Sequence, residues 1–244
     1  MWWSFLSKAA SSARSAHATE TVANPSAILF DFDGTLVDSA PDLAGAMNDL
    51  RAELRLPELP YEMLRPFATY GARSLIKAGL DINPGHPHYE AHRTRFLAIY
   101  DQRKLQKTHL FPGVLELLIA LERRGIAWGI VTNKNSRLAE PMIFELLRDR
   151  AFSPRVVICG DTTPTPKPHP APLLRAAADA AFDVAGCWYV GDGESDVKAA
   201  VAAGMTPVLA TYGYVPDITA ARTWGAHYEI DQPLDLLGLL GDMA

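Results

Sequence analysis

Two aspartates, Asp31 and Asp33, stand directly after the short apolar run Ile28–Phe30. Alternate residues of an extended chain point the same way, so the two carboxylates can share one site. Because close anionic groups repel each other, keeping both ionised requires a cation, and carboxylate oxygens suit a hard ion such as Mg²⁺. The alternative is a turn-forming or helix-capping pair at a strand end, but the longer run DFDGTLVDS favours a chemical site.

Three later stretches carry residue types that complement this pair. The hydroxyl and backbone N–H groups of Thr132-Asn133 can hold phosphate oxygens, and Lys167, in a proline-rich loop, adds a cation. In the run GDGESD, Asp192 and Asp196 add carboxylates for a metal. Acids, a lysine and hydroxyl donors around Mg²⁺ suit phosphoryl transfer, in which metal and lysine neutralise the phosphate. A carboxylate can then serve as nucleophile through an aspartyl phosphate, while a second acid donates the leaving-group proton.

The elements that must position these residues alternate between strand and helix. Beyond residue 110 the patterns predict the strands Ile126–Thr132, Arg155–Cys159, Cys187–Val190, Thr206–Thr211 and Tyr228–Ile230. They predict helices over Val114–Arg124, Ser136–Arg148, Pro170–Ala181 and Glu194–Ala203, and one more at the C-terminus. This alternation predicts an α/β fold, a doubly wound parallel sheet with helices on both faces. Ligands bind such sheets at the carboxyl ends of the strands, where Asp31, Thr132 and Asp192 all fall.

The segment between the first strand and this region has only helical periodicity. Helices are predicted near Ala40–Leu54, Tyr61–Phe67, Gly71–Ala78 and Pro87–Leu105, with Ser39 as the cap of the first. We therefore predict an all-helical cap over residues 40–109, inserted into an α/β core formed by residues 25–39 and 110–244.

Composition narrows the function classes. A length of 244 residues allows one domain with an insert or two modest domains, and 48% hydrophobic residues are enough for a sizeable core. The net charge of −5 argues against a nucleic-acid partner, and no apolar run reaches the ~18–20 residues of a membrane span. Cys159 and Cys187 lack CxxC spacing, which is typical of buried thiols in a reducing compartment. We expect a cytoplasmic protein acting on a small phosphorylated metabolite, and the sequence does not specify an oligomeric state.

The first 24 residues differ from the rest. They are rich in alanine and serine, with three basic residues and a single acid, Glu20. This composition is typical of a flexible N-terminal extension over residues 1–24, and a targeting segment is the alternative.

Four motifs in this order resemble those of the haloacid dehalogenase superfamily. They are DFDGT at 31–35, Thr132 after an apolar strand, Lys167-Pro168, and GDGESD at 191–196. The likeness covers residues 26–230 and implies a Rossmann-like core with a helical cap in the C1 position.

The resemblance also implies a role for each motif residue. Asp31 would be the nucleophile and a metal ligand, and Asp33 the general acid/base, binding metal through its carbonyl. Thr132 would bind the phosphoryl group, and Lys167 would pair with Asp31 and the phosphate. Asp192 would ligate Mg²⁺, with Asp196 as a ligand or behind one.

Within the superfamily the chain looks closest to phosphoglycolate phosphatases, through DGTLVDS, Tyr70–Arg73 and VTNK at 131–134. It is also similar to bacterial N-acetylmuramic acid 6-phosphate phosphatases, through WGIVTNK at 128–134 and Tyr212–Tyr214 among other stretches. We predict that Arg73 binds a substrate carboxylate, with a surface arginine as the alternative, and that Asn133 helps to bind the phosphate.

Other activities of the superfamily remain as alternatives. Dehalogenases of the superfamily lack the second acid, so Asp33 favours a phosphatase or a mutase. A phosphosugar mutase additionally needs its intermediate protected from water, which depends on cap closure. A non-enzymatic scaffold would be expected to have lost Asp31 or Asp33, and this chain keeps both.

Overall fold

The computed structural model describes residues 24–148 and 153–241. The predicted extension over residues 1–24 thus lies outside the described residues, apart from Asn24. The strands are β1 (Ala27–Phe30), β2 (Val37–Asp38), β3 (His109–Leu110), β4 (Ala127–Val131), β5 (Val157–Ile158), β6 (Cys187–Gly191), β7 (Thr206–Ala210) and β8 (Tyr228–Ile230). The α-helices are α1 (Ala40–Glu53), α2 (Tyr61–Leu64), α3 (Gly71–Leu80), α4 (Tyr89–Arg103), α5 (Val114–Arg123), α6 (Ser136–Leu147), α7 (Ala171–Asp179), α8 (Glu194–Ala203), α9 (Ile218–Ala221) and α10 (Asp235–Leu239). Two 3₁₀ helices cover Arg65–Tyr70 and Val184–Gly186.

Six strands form one parallel sheet in the order β5-β4-β1-β6-β7-β8. The central strand β1 lies between β4 and β6, and Phe30 is level with Ile130 on one side and Val190 on the other. Because the three strands end level, the residues that follow them meet at one edge of the sheet. The predicted parallel α/β fold is confirmed.

Apolar side chains of β1 alternate between two layers. Ile28 and Phe30 belong to a core with side chains of α5, α6 and α10. Ala27 and Leu29 belong to a second core with side chains of α7 and α8. Since neighbouring residues of a strand point to opposite faces, both faces of the sheet are covered, as in a doubly wound fold.

Helices α1–α4 and the first 3₁₀ helix form a separate layer with its own apolar cluster, centred on Met47, Leu75, Phe96 and Tyr100. We call residues 40–108 the cap. The chain enters and leaves it through β2 and β3, which pair antiparallel, with Asp38 opposite His109. The prediction that residues 40–109 contain no strand was wrong at His109, because a two-residue strand is too short for a periodic pattern.

The first cap helix begins differently from the prediction. Ser39 occupies the N-cap position, but its side chain makes no capping bond. The hydroxyl oxygen of Tyr214 instead accepts from the backbone N–H groups of Ser39, at 2.6 Å, and Ala40, at 3.0 Å. Tyr214 therefore caps α1 from the core, and the Ser39 hydroxyl is free to bind elsewhere.

Among the residues that the structure describes, none of the helices combines the length and apolar character needed to cross a membrane.

Candidate active site

Asp31 and Lys167 form a buried ion pair at the carboxyl end of β1. The Nζ atom of Lys167 lies 2.8 Å from Oδ1 of Asp31 and 2.7 Å from Oδ1 of Asp196, and also donates to the Val131 carbonyl. Only 1% of the lysine side chain is exposed. Burial opposes its charge, but the carboxylates of Asp196 and Asp31 outweigh that effect and raise the pKa of Lys167 above the usual lysine value. The lysine is therefore a permanent cation between two acids.

Two neighbours fix the position of Lys167. The side-chain amide of Asn133 donates to the Lys167 carbonyl at 3.1 Å and accepts from its backbone N–H at 3.0 Å. The Tyr189 hydroxyl accepts from Lys167 Nζ at 2.7 Å and donates to the Val131 carbonyl. Asn133, predicted to bind phosphate, thus has its amide engaged with the lysine loop. Tyr189, within the predicted strand Cys187–Val190, is buried but contacts the site.

Asp31, Asp192 and Asp196 offer carboxylate oxygens that lie within 4.8 Å of one another. Both oxygens of Asp196 are engaged, since Oδ1 pairs with Lys167 and Oδ2 accepts from the Gly193 N–H. Asp192 differs: its Oδ1 is buried and has no hydrogen-bond partner among the described residues. Such an atom is costly unless a cation meets it.

The electrostatics of this cluster fit a divalent cation. Burial raises the pKa of Asp31 to about 7, although Lys167 acts in the opposite direction. Burial, and then the charges of Asp196 and Asp31, raise the pKa of Asp192 well above its usual value. Three acids share one lysine, so one further cation bound by oxygen ligands would let all three ionise.

Two glycines leave room for Asp192. Gly34 has a φ of +88°, and a Cβ atom there would lie 2.3 Å from Oδ2 of Asp192. A Cβ on Gly213 would lie 2.3 Å from Cβ of Asp192. The turn after β1 and the loop after β7 can therefore lie this close to the Asp192 carboxylate only because each has a glycine at the point of contact.

Asp33 lies outside the acidic cluster and has its own partners. Its carboxylate accepts from Lys134 Nζ through both oxygens, at 2.9 and 3.0 Å, and from the Ser39 hydroxyl at 2.5 Å. Lys134 also donates to the hydroxyl of Tyr100, on cap helix α4, at 2.9 Å. Burial raises the pKa of Tyr100 to about 12, so the phenol stays neutral. Lys134 thus joins the second acid to the cap.

A cavity of ≈ 390 Å³ lies between the cap and the sheet edge. Its core side includes Asp31, Asp33, Thr132 and Lys167. The Thr132 hydroxyl accepts from the Lys134 N–H at 3.1 Å.

The cap side of this cavity carries Arg73 and Arg93. Arg73 is exposed and makes no ion pair with any residue that the structure describes, whereas Arg93 lies 3.7 Å from Glu90. The predicted site residues thus line one cavity, apart from Asp192, which lies beneath it.

Several residues with contacts to the site were not singled out from the sequence. Lys134 belongs to the stretch VTNK at 131–134, which was used only for the resemblance to known phosphatases. No sequence pattern indicated a functional role for Thr69, Tyr100, Tyr189 or Arg93. The signal available in retrospect is position: Lys134 follows the end of β4 by three residues, and Tyr189 lies two residues before the end of β6.

The chain is similar to known proteins in sequence and in fold. A family model described as haloacid dehalogenase-like hydrolase matches residues 28–210. The chain is 34% identical over 214 residues to N-acetylmuramic acid 6-phosphate phosphatase of Pseudomonas aeruginosa, covering 88% of this chain and 94% of the relative. It is 40% identical over 215 residues to phosphoglycolate phosphatase of Xanthomonas campestris pv. campestris, covering 87% and 95%. The crystal structure of a predicted phosphoglycolate phosphatase from Haemophilus somnus superposes with a TM-score of 0.76 at 28% identity, covering 88% of this chain and 97% of that one.

Proposed function

The chain belongs to the haloacid dehalogenase-like hydrolase family and is a phosphatase, and from this premise we propose that it hydrolyses a small phosphate monoester through Asp31 with the help of Mg²⁺. The observation that carries the proposal is the placement of Asp31 in the cavity. The Nζ atom of Lys167 donates to Oδ1 of Asp31. Asp33, two residues later in the chain, lines the same cavity. A nucleophile, a second acid and a fixed cation meet where a phosphate can enter.

The chemistry runs in two steps. Oδ2 of Asp31 attacks phosphorus and the bond to the ester oxygen breaks. Asp33, carrying the proton that the second step leaves on it, gives this proton to the departing ester oxygen. Asp33 then takes a proton from a water molecule that attacks the phosphorus of the aspartyl phosphate, which releases inorganic phosphate and regenerates Asp31. Lys167 and the Thr132 hydroxyl bind phosphoryl oxygens throughout.

The metal would be held by Asp31, Asp192 and the Asp33 carbonyl, with Asp196 as a ligand or directly behind one. When bound, it would supply positive charge that neutralises the phosphoryl oxygens. The partnerless Oδ1 of Asp192 and the raised pKa values of Asp31 and Asp192 support this assignment.

The substrate we favour is 2-phosphoglycolate. Arg73 lines the cavity from the cap and has no ion-pair partner within residues 24–148 and 153–241, and a guanidinium pairs well with a carboxylate. The relatives named phosphoglycolate phosphatase reach 40% identity over nearly their whole length.

N-Acetylmuramic acid 6-phosphate is the second candidate. It also carries a carboxylate, and a relative named for its hydrolysis matches 88% of the chain. The cavity of ≈ 390 Å³ falls within the ~300–1,000 Å³ that accommodates drug-sized ligands, so an amino-sugar phosphate is not too large for it.

A direct comparison of kcat/KM on the two substrates with Mg²⁺ tests the substrate. A hundredfold preference, equivalent to about 2.7 kcal/mol in transition-state binding, would assign it. Poor turnover of both, with good turnover of another phosphate ester, would refute both substrate candidates, and the phosphatase activity itself would stand.

The nucleophile is tested by Asp31→Asn. This variant should lose turnover of every phosphate ester, including a chromogenic aryl phosphate. Asp183→Asn, on an exposed residue far from the site, is the matched control and should keep wild-type activity. An active Asp31→Asn variant would disprove the covalent step.

A further inference from the structure

The hydroxyl of Thr69, a residue of the cap, contacts the cluster formed by Asp31, Asp192 and Asp196. Thr69 lies in the 3₁₀ helix Arg65–Tyr70 of the cap, and its Oγ1 donates to Oδ2 of Asp192 at 3.0 Å. The backbone N–H of Tyr214, in the core, donates to the same oxygen at 2.8 Å. One carboxylate oxygen therefore accepts from both parts of the protein.

These two bonds orient the whole carboxylate. With Oδ2 occupied by two donors, Oδ1 becomes the oxygen left for a ligand, and it is buried without a hydrogen-bond partner in the part of the chain that the structure describes. Hydrogen bonds to the outer oxygen of a carboxylate commonly fix its direction at a metal, and their loss costs about 10–100-fold in metal affinity.

Thr69 is held in place by further contacts of its own helix. Arg65, at the start of that helix, donates to the Gly213 carbonyl at 2.9 Å, and its guanidinium lies 5.1 Å from the centre of the Tyr214 ring. A Cβ on Gly193 would come within 3.0 Å of the Thr69 methyl group, so Thr69 also packs against the loop that follows Asp192.

We propose that Thr69 is a positioning residue for metal binding: from the cap, its hydroxyl orients Asp192 towards Mg²⁺. The inference rests on the Mg²⁺ dependence proposed above. Because the hydroxyl contacts Asp192 only while the cap lies on the core, metal binding and cap closure stabilise each other. Linkage requires the effect to be the same in both directions.

The test compares three variants by calorimetric titration with Mg²⁺ in the absence of substrate. Thr69→Val keeps the size and the methyl group but removes the hydroxyl, and its Kd for Mg²⁺ should rise about 10-fold or more. Thr69→Ser keeps the hydroxyl and should bind Mg²⁺ as the wild type does. Thr94→Val, at an exposed position of helix α4, makes the same chemical change away from the site and should leave the Kd unchanged.

Each outcome decides the inference. Rescue by serine with weakening by valine supports it, because a purely structural role would not follow the hydroxyl. Equal Kd values for wild type and Thr69→Val overturn it, as does a serine variant as weak as the valine one. If the wild type itself binds no Mg²⁺, the proposed metal dependence fails as well. If the wild type binds Mg²⁺ and only the Thr69 effect is missing, the proposed function stands. Thermal unfolding in chelator confirms that each variant is folded.

Discussion

Replacing Lys134 by methionine should separate the proposed role of Asp33 as general acid from that of Asp31 as nucleophile. The Lys134 side chain is 7% exposed, and it pairs with the Asp33 carboxylate, whose side chain is 16% exposed. Methionine keeps most of the apolar length but leaves Asp33 without its cation and the Tyr100 hydroxyl without its donor.

The cost follows from the burial of the pair. Removing one partner of a buried ion pair costs about 3–5 kcal/mol. Because Asp33 is partly exposed and keeps the Ser39 hydroxyl, we expect the lower end of that range. A loss of about 3 kcal/mol lowers the Tm of a protein of this size by about 6–12 °C. Differential scanning calorimetry of wild type and variant measures this directly.

The kinetic effect should depend on the leaving group. Without Lys134, the Asp33 carboxylate loses its fixed direction, and general acid catalysis contributes about 10²–10⁴-fold. An alkyl phosphate releases an alkoxide, which needs that proton, whereas an aryl phosphate releases a phenolate, which leaves without it. In the Lys134→Met variant we therefore expect the rate at which an alkyl ester phosphorylates Asp31 to fall about a hundredfold. The aryl ester should keep a fast first turnover, which stopped-flow absorbance would record as a burst.

Two controls sharpen this experiment. Lys107→Met makes the same change at an exposed lysine of the cap and should alter neither Tm nor burst. Tyr100→Phe removes only the hydroxyl that accepts from Lys134 and leaves the pair with Asp33 intact. An unchanged Tm in Lys134→Met, or equal losses for alkyl and aryl esters in the first turnover, would refute the reasoning.

Three further predictions concern the substrate and the metal. Arg73→Ala should raise KM about tenfold or more for a carboxylate-bearing substrate, since a hydrogen bond to a charged group contributes about 1.5–3 kcal/mol, while KM for an aryl phosphate stays unchanged; equal effects on both would exclude carboxylate recognition. Gly34→Ala places a Cβ 2.3 Å from Oδ2 of Asp192 at a φ of +88°, so it should weaken Mg²⁺ binding in calorimetry and lower the Tm; wild-type values would contradict the close approach. Chelation should abolish turnover, and Mg²⁺ at a hundred times its Kd should restore it and add about 2.7 kcal/mol of stability, measured as a thermal shift; full activity in chelator would disprove metal dependence.

The sheet and the core side of the site were accessible from local patterns. Asp31, Thr132 and Asp192 each follow an apolar strand, and parallel strands bring their carboxyl ends to one edge. The strand β5 was predicted over Arg155–Cys159 but covers only Val157–Ile158. It is an edge strand that pairs with β4 alone, so its ends have no second neighbour to extend the ladder.

The contacts between cap and core could not be predicted from local sequence patterns, because they join residues far apart in the chain. Thr69 and Asp192 are separated by 123 positions, and Lys134 and Tyr100 by 34. Helical periodicity shows which side of a helix is apolar, but it does not state which core residue a polar side chain meets. The capping of α1 by Tyr214 shows the same limit, since Ser39 has the right residue type for the cap and yet binds Asp33.

The paired strands β2 and β3 have a consequence for how substrate range can diverge. The chain leaves the core at Asp38 and returns at His109, and these two residues face each other across the ribbon. The cap side of the cavity, with Arg73 and Arg93, is thus inserted between two adjacent points, while Asp31, Asp33 and Lys167 belong to the remainder. A cap from another member of the family can be exchanged at this single junction without rerouting the catalytic strands, which makes the ribbon a natural boundary for building chimaeras with new specificities.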